Sequence, residues 1–417
     1  MFLLQLFLYN LSIQLYAAAA AAMALLQHKA RLFVHGRKGL LSRIHNDMHS
    51  DQRKRIWMHC ASLGEFEQGR PLLEQLKTSY PDYCIVLTFF SPSGYEVRKN
   101  YKGADYIYYL PLDTPGNARK FVTAVAPQLA VFVKYEFWYH YLRQLHSHKI
   151  HTIIISTIFQ QRHAFFKWYG QLHRKMLGYF NHLFVQTALS VQLLETIGIQ
   201  HCTLVGDTRL DRALAIAAEQ KDIDGIATFK GNDLLIVAGS TWAADEQLLA
   251  ATLSMLPAGV KLLIAPHEID EVHIRQIQDL FGPQSCLYDQ PERFAESRVL
   301  IVNRIGLLAY LYNYADYVWI GGGFNKTGIH NSIEAAVYGK ALCWGPNYDR
   351  YQEALDLIDC QAAHSFTNAE GLAAQLNEWQ GTPQKYTFAS QASLAYVLKH
   401  KGATLRIMQY LATQNIF

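Results

Sequence analysis

The 417-residue sequence has no Cys-x-x-Cys pair and no His-Glu-x-x-His spacing. Its six cysteines (Cys60, Cys84, Cys202, Cys286, Cys343 and Cys360) stand apart, most of them within apolar runs. That argues against a zinc ribbon or a disulfide framework and suits buried thiols in a reducing compartment. The 18 histidines are scattered, so no metal site and no metal cofactor is expected. There is no short-period repeat and no low-complexity tract beyond Ala17 to Ala22. Charge is scarce at 17% of residues, and residues 1–27 carry none. Half of the chain is hydrophobic, enough for large cores, and the length suits about two domains.

What charge there is lies unevenly. From His28 to Arg55 stand Lys29, Arg31, Arg37, Lys38, Arg43, Arg53, Lys54 and Arg55, against Asp47 and Asp51. That is 8 − 2 = +6, which leaves 56–417 at +4 − 6 = −2. A basic collar beside a near-neutral body points to an anionic surface. The collar follows the uncharged segment 1–27, whose length suits one membrane span. Gln5, Asn10, Ser12 and Gln14 weaken that reading, because amides and hydroxyls are costly in lipid. A cleaved signal peptide is an alternative, although no positive stretch precedes the apolar run. A helix lying in the interface, with the collar on anionic head groups, is another. The positive-inside rule puts the body on the cytoplasmic face.

Beyond the collar, short apolar runs alternate with amphipathic segments. Strands are expected at 55–59, 84–88, 130–133, 150–155, 182–185 and 203–205, then at 234–238, 261–265, 299–302, 317–320 and 341–344. Helices are expected between them, among them 66–76, 117–125, 244–253 and 268–280. The pattern indicates an α/β fold with two doubly wound Rossmann-like domains. The division follows as anchor 1–27, collar 28–55, first domain 56–206 and second domain 207–417. In such sheets ligands bind at the carboxyl ends of the strands.

The candidate residues fall at those ends. Gly321-Gly322-Gly323 leads from a strand to Asn331-Ser332-Ile333-Glu334. Glycines permit close backbone approach, a helix start suits a phosphate, and Glu334 suits the two hydroxyls of a ribose. A tight turn with a capping box, Asn331 as N-cap and Glu334 at N3, reads equally well. Gly239-Ser240-Thr241 resembles a phosphate-binding turn, or ordinary capping. Glu65, after Gly64, is either a general base or an acid favouring a helix N-terminus. Glu136 is either a site residue or half of an ion pair with Lys134 or another base. Arg209 meets an anion or is a lone surface cation. Gln161 to Lys175 reads as a basic-aromatic helix, suited either to a membrane interface or to inward packing.

Together these residues resemble the 3-deoxy-D-manno-octulosonic acid (Kdo) transferases of lipopolysaccharide assembly. The likeness runs from about Lys29 to beyond Tyr351. It includes His59-Cys60-Ala61-Ser62-Leu63-Gly64-Glu65 (similar to that family's H-x-A-S-x-G-E), Ser91-Pro92-Ser93-Gly94, Glu136-Phe137-Trp138, Gly239-Ser240-Thr241 and Gly321 to Glu334. The resemblance implies glycosyltransferase-B architecture, two Rossmann-like domains facing a cleft, and no metal. It implies inverting transfer of Kdo from CMP-Kdo to a lipid A precursor (lipid IVA) at the cytoplasmic face of the inner membrane, among anionic lipids and with no nucleic acid partner. It casts Glu65 as base and Glu136 and Arg209 as transition-state supports. It casts Ser240, Pro266, His267, Ile305, Gly306, Leu307, Asn331, Ser332, Ile333 and Glu334 as donor contacts. The chain departs from the family pattern at Lys134, Arg209 and Trp242, where glutamate, lysine and histidine are common, and its Pro266-His267 lacks the arginine of that family's P-R-H. The alternatives are a glycosyltransferase-B enzyme acting on a UDP-sugar and a membrane-tethered protein without catalysis.

Overall fold

A computed structural model describes residues 1–417. The chain divides into two compact units, residues 1–211 with 402–417, and residues 212–401.

The first unit is built on seven parallel strands: β1 (Arg55–Cys60), β2 (Cys84–Phe89), β3 (Tyr106–Tyr109), β4 (Leu129–Val133), β5 (His151–Thr157), β6 (His182–Val185) and β7 (Cys202–Leu204), in the order β3-β2-β1-β4-β5-β6-β7. Residues along β1 alternate between two cores. Trp57 joins one with Phe121 and Phe132, while Ile56, Met58 and Cys60 join the other with Phe66 and Leu72. A sheet covered on both faces needs near-continuous apolar strands, which is why β1, β4 and β5 read so clearly.

The second unit repeats the plan with β8 (Leu234–Thr241), β9 (Val260–Pro266), β10 (Ser285–Leu287), β11 (Val299–Ile301), β12 (Tyr317–Ile320), β13 (Leu342–Trp344) and β14 (Ala363–Ser365). Their order is β10-β11-β9-β8-β12-β13-β14, again all parallel. In each sheet the strand order reverses once, between β1 and β4 and between β8 and β12. These are the topological switch points where such sheets leave a crevice.

Three strands escaped the sequence reading: β3, β10 and β14. All are sheet-edge strands of three or four residues, partly exposed. The expected helix over 161–175 is instead a 3-10 turn at Ala164–Phe166, a bend, and a short helix at Gln171–Leu177. Gly170 breaks the run, since a Cβ there would sit 1.9 Å from the Ala164 carbonyl oxygen.

The division at 206/207 also shifts. The boundary falls after Asp211, and 402–417 folds with the first unit. Gly402, at φ +90°, turns the chain between the helices Pro383–His400 and Ala403–Thr413. Asp211 then accepts the backbone N–H groups of Gly402 and Thr404, both at 2.6 Å, and Ala403, Ile407 and Leu411 are buried in the core around Ile56 and Leu72. The collar is likewise folded rather than a separate segment. Helices α2 (His28–His35) and α3 (Leu40–Ser50) bury Phe33, Leu40, Ile44 and Met48. Arg37 donates to the carbonyls of Phe33, Phe90 and Leu110 at 2.9, 2.7 and 2.9 Å, and Arg53 pairs with Asp51 and Asp105. Part of the collar's charge is therefore structural.

Candidate active site

At the first switch point, helix α4 (Leu63–Ser79) starts straight after β1. Ser62 and Glu65 form a capping box, with the Ser62 N–H donating to Glu65 Oε2 at 2.8 Å. The capping reading of Glu65 is thus correct as local structure. Gly69 seats the helix tightly on the sheet, because a Cβ there would lie 2.8 Å from Val133 Cγ2 and 3.0 Å from Met58 Sδ. Burial, then the neighbouring Glu136 carboxylate, push the Glu65 carboxyl above its ordinary range, partly offset by the Ser62 N–H and by His59. Both push toward a stronger base.

Glu136 follows β4 across the same switch point and is buried. Its partner is not Lys134. His59 Nε2 lies 3.0 Å from Glu136 Oε2, and Trp138 Nε1 donates to the same oxygen at 2.6 Å. Lys134 instead turns its ammonium over the Tyr135 ring and holds a left-handed backbone at φ +70°. His59 is fully enclosed, and its Nδ1 meets the Thr88 hydroxyl at 2.9 Å. That hydroxyl in turn accepts from Trp57 Nε1 at 2.8 Å. The ring is held on both sides, with Nδ1 also 3.2 Å from the Thr88 carbonyl oxygen and Nε2 also 3.2 Å from Trp138 Nε1. The run Trp57–Thr88–His59–Glu136–Trp138 fixes the carboxylate beside Glu65.

Arg209 is no lone surface cation. Its guanidinium Nε and Nη2 donate to Asp207 Oδ2 at 2.8 and 2.5 Å. The preceding Thr208 is buried, with its hydroxyl 3.0 Å from Ser156 Oγ and 2.5 Å from the Gln68 carbonyl on α4, one turn beyond Glu65. Ser156 also takes a left-handed backbone, at φ +59°. Glu65, Glu136 and Arg209 are therefore gathered around one end of the first sheet.

In the second unit, Ser240, Pro266, His267 and the 303–307 loop lie at or just beyond the carboxyl ends of β8, β9 and β11. Ser240 does not open a helix: β8 runs on to Thr241 through a register shift, with Ser240 at φ +54°. Non-glycine residues in this region are uncommon, and here the strain sits at the switch point. Gly321 permits it, since a Cβ there would lie 2.3 Å from the Ser240 carbonyl oxygen. The glycine run mainly serves backbone packing. Gly323 lies against the Gly345 backbone, where a Cβ would meet its nitrogen at 2.5 Å, and the Gly322 N–H is taken by Asp245 Oδ2 at 2.9 Å. The expected helix at Asn331 is one turn, Ile333–Ala336, too short for a strong dipole. Asn331 and Glu334 do pair, Nδ2 to Oε1 at 3.0 Å, and Asn331 Oδ1 accepts the Ile333 N–H. Ser332 and Ile333 are fully buried, so their side chains offer no surface to a donor. Ile305 is 86% exposed, Gly306 turns at φ +91°, and Leu307 precedes the helix Leu308–Leu311.

His267 belongs to a ring cluster that the sequence did not reveal. Trp242 Nε1 donates to His330 Nε2 at 2.9 Å, and the two rings lie within 12° of coplanar. His267 stacks on both, at 4.7 and 4.4 Å. Burial, then His267, push the His330 pKa down to about 4. Asp245 ties the cluster to the glycine turn by accepting from Trp242 N, Trp319 Nε1 and Gly322 N. A carboxylate at the third residue of a helix was the only local signal for Asp245. His59 had a clearer one, as a polar residue closing an apolar strand. No three His, Cys, Asp or Glu side chains gather as a ligand set.

Residues 34–212 match the family described as 3-Deoxy-D-manno-octulosonic-acid transferase (kdotransferase). The 3-deoxy-D-manno-octulosonic acid transferase of Haemophilus influenzae is 24% identical over 375 residues, 85% of this chain and 86% of its own. That of Aquifex aeolicus is 26% identical over 331 residues, 78% of this chain and 85% of its own. Among solved structures, the UDP-GlcNAc 2-epimerase from Neisseria meningitidis superposes with a TM-score of 0.63 at 13% identity, covering 86% of this chain and 100% of that one. A putative UDP-N-acetylglucosamine 2-epimerase from Listeria monocytogenes gives 0.62 at 11%, covering 87% and 96%. At such identities the likeness speaks for the fold alone, the paired Rossmann-like units of glycosyltransferase-B architecture. Residues 34–212 thus match the 3-deoxy-D-manno-octulosonic acid transferase family, and transferases of that name align along most of this chain at 24–26% identity.

Proposed function

We propose that this protein is an inverting glycosyltransferase of lipopolysaccharide assembly that moves Kdo from CMP-Kdo to a lipid A precursor such as lipid IVA. The observation that carries the reading is Glu65. It opens a helix at the switch point, with its carboxyl held high by burial and by Glu136. In the reaction, Glu65 takes the proton of the acceptor hydroxyl as that oxygen bonds to the anomeric carbon. The bond from that carbon to the CMP phosphate oxygen breaks on the opposite face, and CMP leaves with the electron pair. Arg209 offsets charge developing on the phosphate, and the His59–Glu136–Trp138 group holds Glu65 in its working environment. Donor contacts are assigned to Ser240, Pro266, His267, the 305–307 loop, Asn331 and Glu334 in the second unit. The scheme uses no metal, so a chelator should leave turnover unchanged. The apolar helix α1 (Phe2–Met23) attaches the protein to the cytoplasmic face of the inner membrane, where a lipid acceptor resides.

Donor competition and product stereochemistry test the reading. CMP should inhibit transfer and UDP should not, and the new linkage should have the anomeric configuration opposite to the donor's. Inhibition by UDP alone would favour a UDP-sugar enzyme. A retained configuration would rule out direct displacement with Glu65 as base.

A further inference from the structure

Helix α1 is 22 residues, about 33 Å long and long enough to cross a bilayer. Its contacts say otherwise. Phe2, Leu6, Tyr9, Ile13, Ala17, Ala20 and Ala24 are half-buried and recur every three or four residues, so one stripe of the helix packs on the first unit along its whole length. Two of the four polar residues that weakened the span, Gln5 and Asn10, lie on that stripe and are satisfied there. Gln5 Oε1 accepts the Leu172 N–H at 2.9 Å, and its amide donates to the Tyr169 carbonyl. Tyr9 donates to the buried Asp113 at 2.5 Å, and Asn10 Oδ1 lies 2.7 Å from His140 Nε2. Ser12 bonds back to the Tyr9 carbonyl. A helix leaving the body to cross a membrane would break all the contacts to the body and strip a donor from Asp113.

The opposite stripe is bare. Leu3, Leu4, Phe7, Leu8, Leu11 and Leu15 are exposed, Leu3 at 78%. Leu25 and Leu26 continue the surface beyond the helix. Trp168, 79% exposed, and Tyr169 project beside it from the turn that Gln5 binds. An apolar face of this size, edged by tryptophan and tyrosine, suits the boundary of a bilayer. The charge around it matches. Residues 1–46 contain Lys29, Arg31, Arg37, Lys38 and Arg43 and no acid. Residues 137–194, which supply the contacts to Gln5 and Asn10, contain Arg143, Lys149, Arg162, Lys167, Arg174 and Lys175 and again no acid. Lys175 lies over the Phe2 ring at 4.3 Å.

We propose that α1 lies in the plane of an anionic bilayer surface as part of the folded first unit, with Trp168 and Tyr169 as a second anchor on the same face, and does not span the membrane. This deepens the membrane attachment proposed above and rests on it.

Full-length protein carrying Cys202→Ser and Cys360→Ser, which removes the two partly exposed thiols, takes a single cysteine at Leu4, Leu11 or Ala19 for a fluorescent label. Quenching by spin-labelled lipids in vesicles containing phosphatidylglycerol then reports depth. The three labels should sit at one shallow depth, about 5–10 Å below the head groups. A graded series, with residues 4 and 19 about 22 Å apart in depth at 1.5 Å per residue, overturns the proposal. In vesicle flotation, Trp168→Ser with Tyr169→Ser should lower binding at least threefold with unchanged circular dichroism. Unchanged binding would remove Trp168 and Tyr169 from the face. No binding of the parent protein to vesicles would instead refute the attachment itself, and neither result depends on catalysis.

Discussion

Glu65 has two jobs in this structure, and Glu65→Gln separates them. As the third residue of α4 it accepts the Ser62 N–H at 2.8 Å, and a glutamine oxygen can accept the same bond. Stability should therefore change by no more than about 0.5 kcal/mol. As a base it must take a proton, which an amide cannot. Loss of a positioned general base costs about 10²- to 10⁴-fold in rate, or about 2.7–5.4 kcal/mol of barrier. Urea denaturation and steady-state kinetics on the same preparation read the two quantities. A full loss of turnover with an unchanged unfolding midpoint fits the account. Retention of more than about a tenth of the activity would reduce Glu65 to a capping residue and refute the argument.

Glu136→Gln removes a charge that holds the Glu65 carboxyl up, while an amide can still sit between His59 and Trp138. A base must be ionised, so activity falls as pH drops through its pKa. The acid limb of kcat/KM should move to lower pH in this variant, and a limb that moves up or stays would contradict the coupling. His330, held neutral by burial, should titrate near pH 4 in an NMR pH series. Because its folded pKa is depressed, its contribution to stability is present above about pH 6.5 and is lost as pH falls from there toward 4. A titration midpoint above 6 would deny the buried neutral ring. Gly323→Ala forces a Cβ to 2.5 Å from the Gly345 nitrogen, backbone on backbone, so denaturation should report a loss of about 3 kcal/mol or more. A near-neutral result would mean that the turn is not tightly packed.

The architecture was legible because strands buried on both faces spell themselves as apolar runs. The edge strands β3, β10 and β14 were not, since a strand of three or four residues shows little periodicity. Glu65 and Glu136 were legible from their place after strands, but the partner of Glu136 was not. Lys134, the base named for it, is two residues away in sequence, whereas His59 is 77 away and meets it only because β1 and β4 are neighbours. The glycine turn was read for a ligand, yet its main duty is to let Gly321 and Gly323 pack on the backbones of Ser240 and Gly345. Asp245 and the Trp242–His330 pair lay beyond sequence reasoning for the same reason, as contacts made across neighbouring strand ends. Arg37 looked like surface charge in the sequence because nothing local signals the three carbonyls that enclose it.

The measurement that bears most directly on the central claim is transfer itself. Purified protein is incubated with CMP-Kdo and a tetra-acylated lipid A precursor, and the lipid is weighed by mass spectrometry. The account predicts product lipid heavier by whole Kdo units, with CMP released in equal number. Lipid of unchanged mass, from protein that is folded and binds CMP, would contradict it.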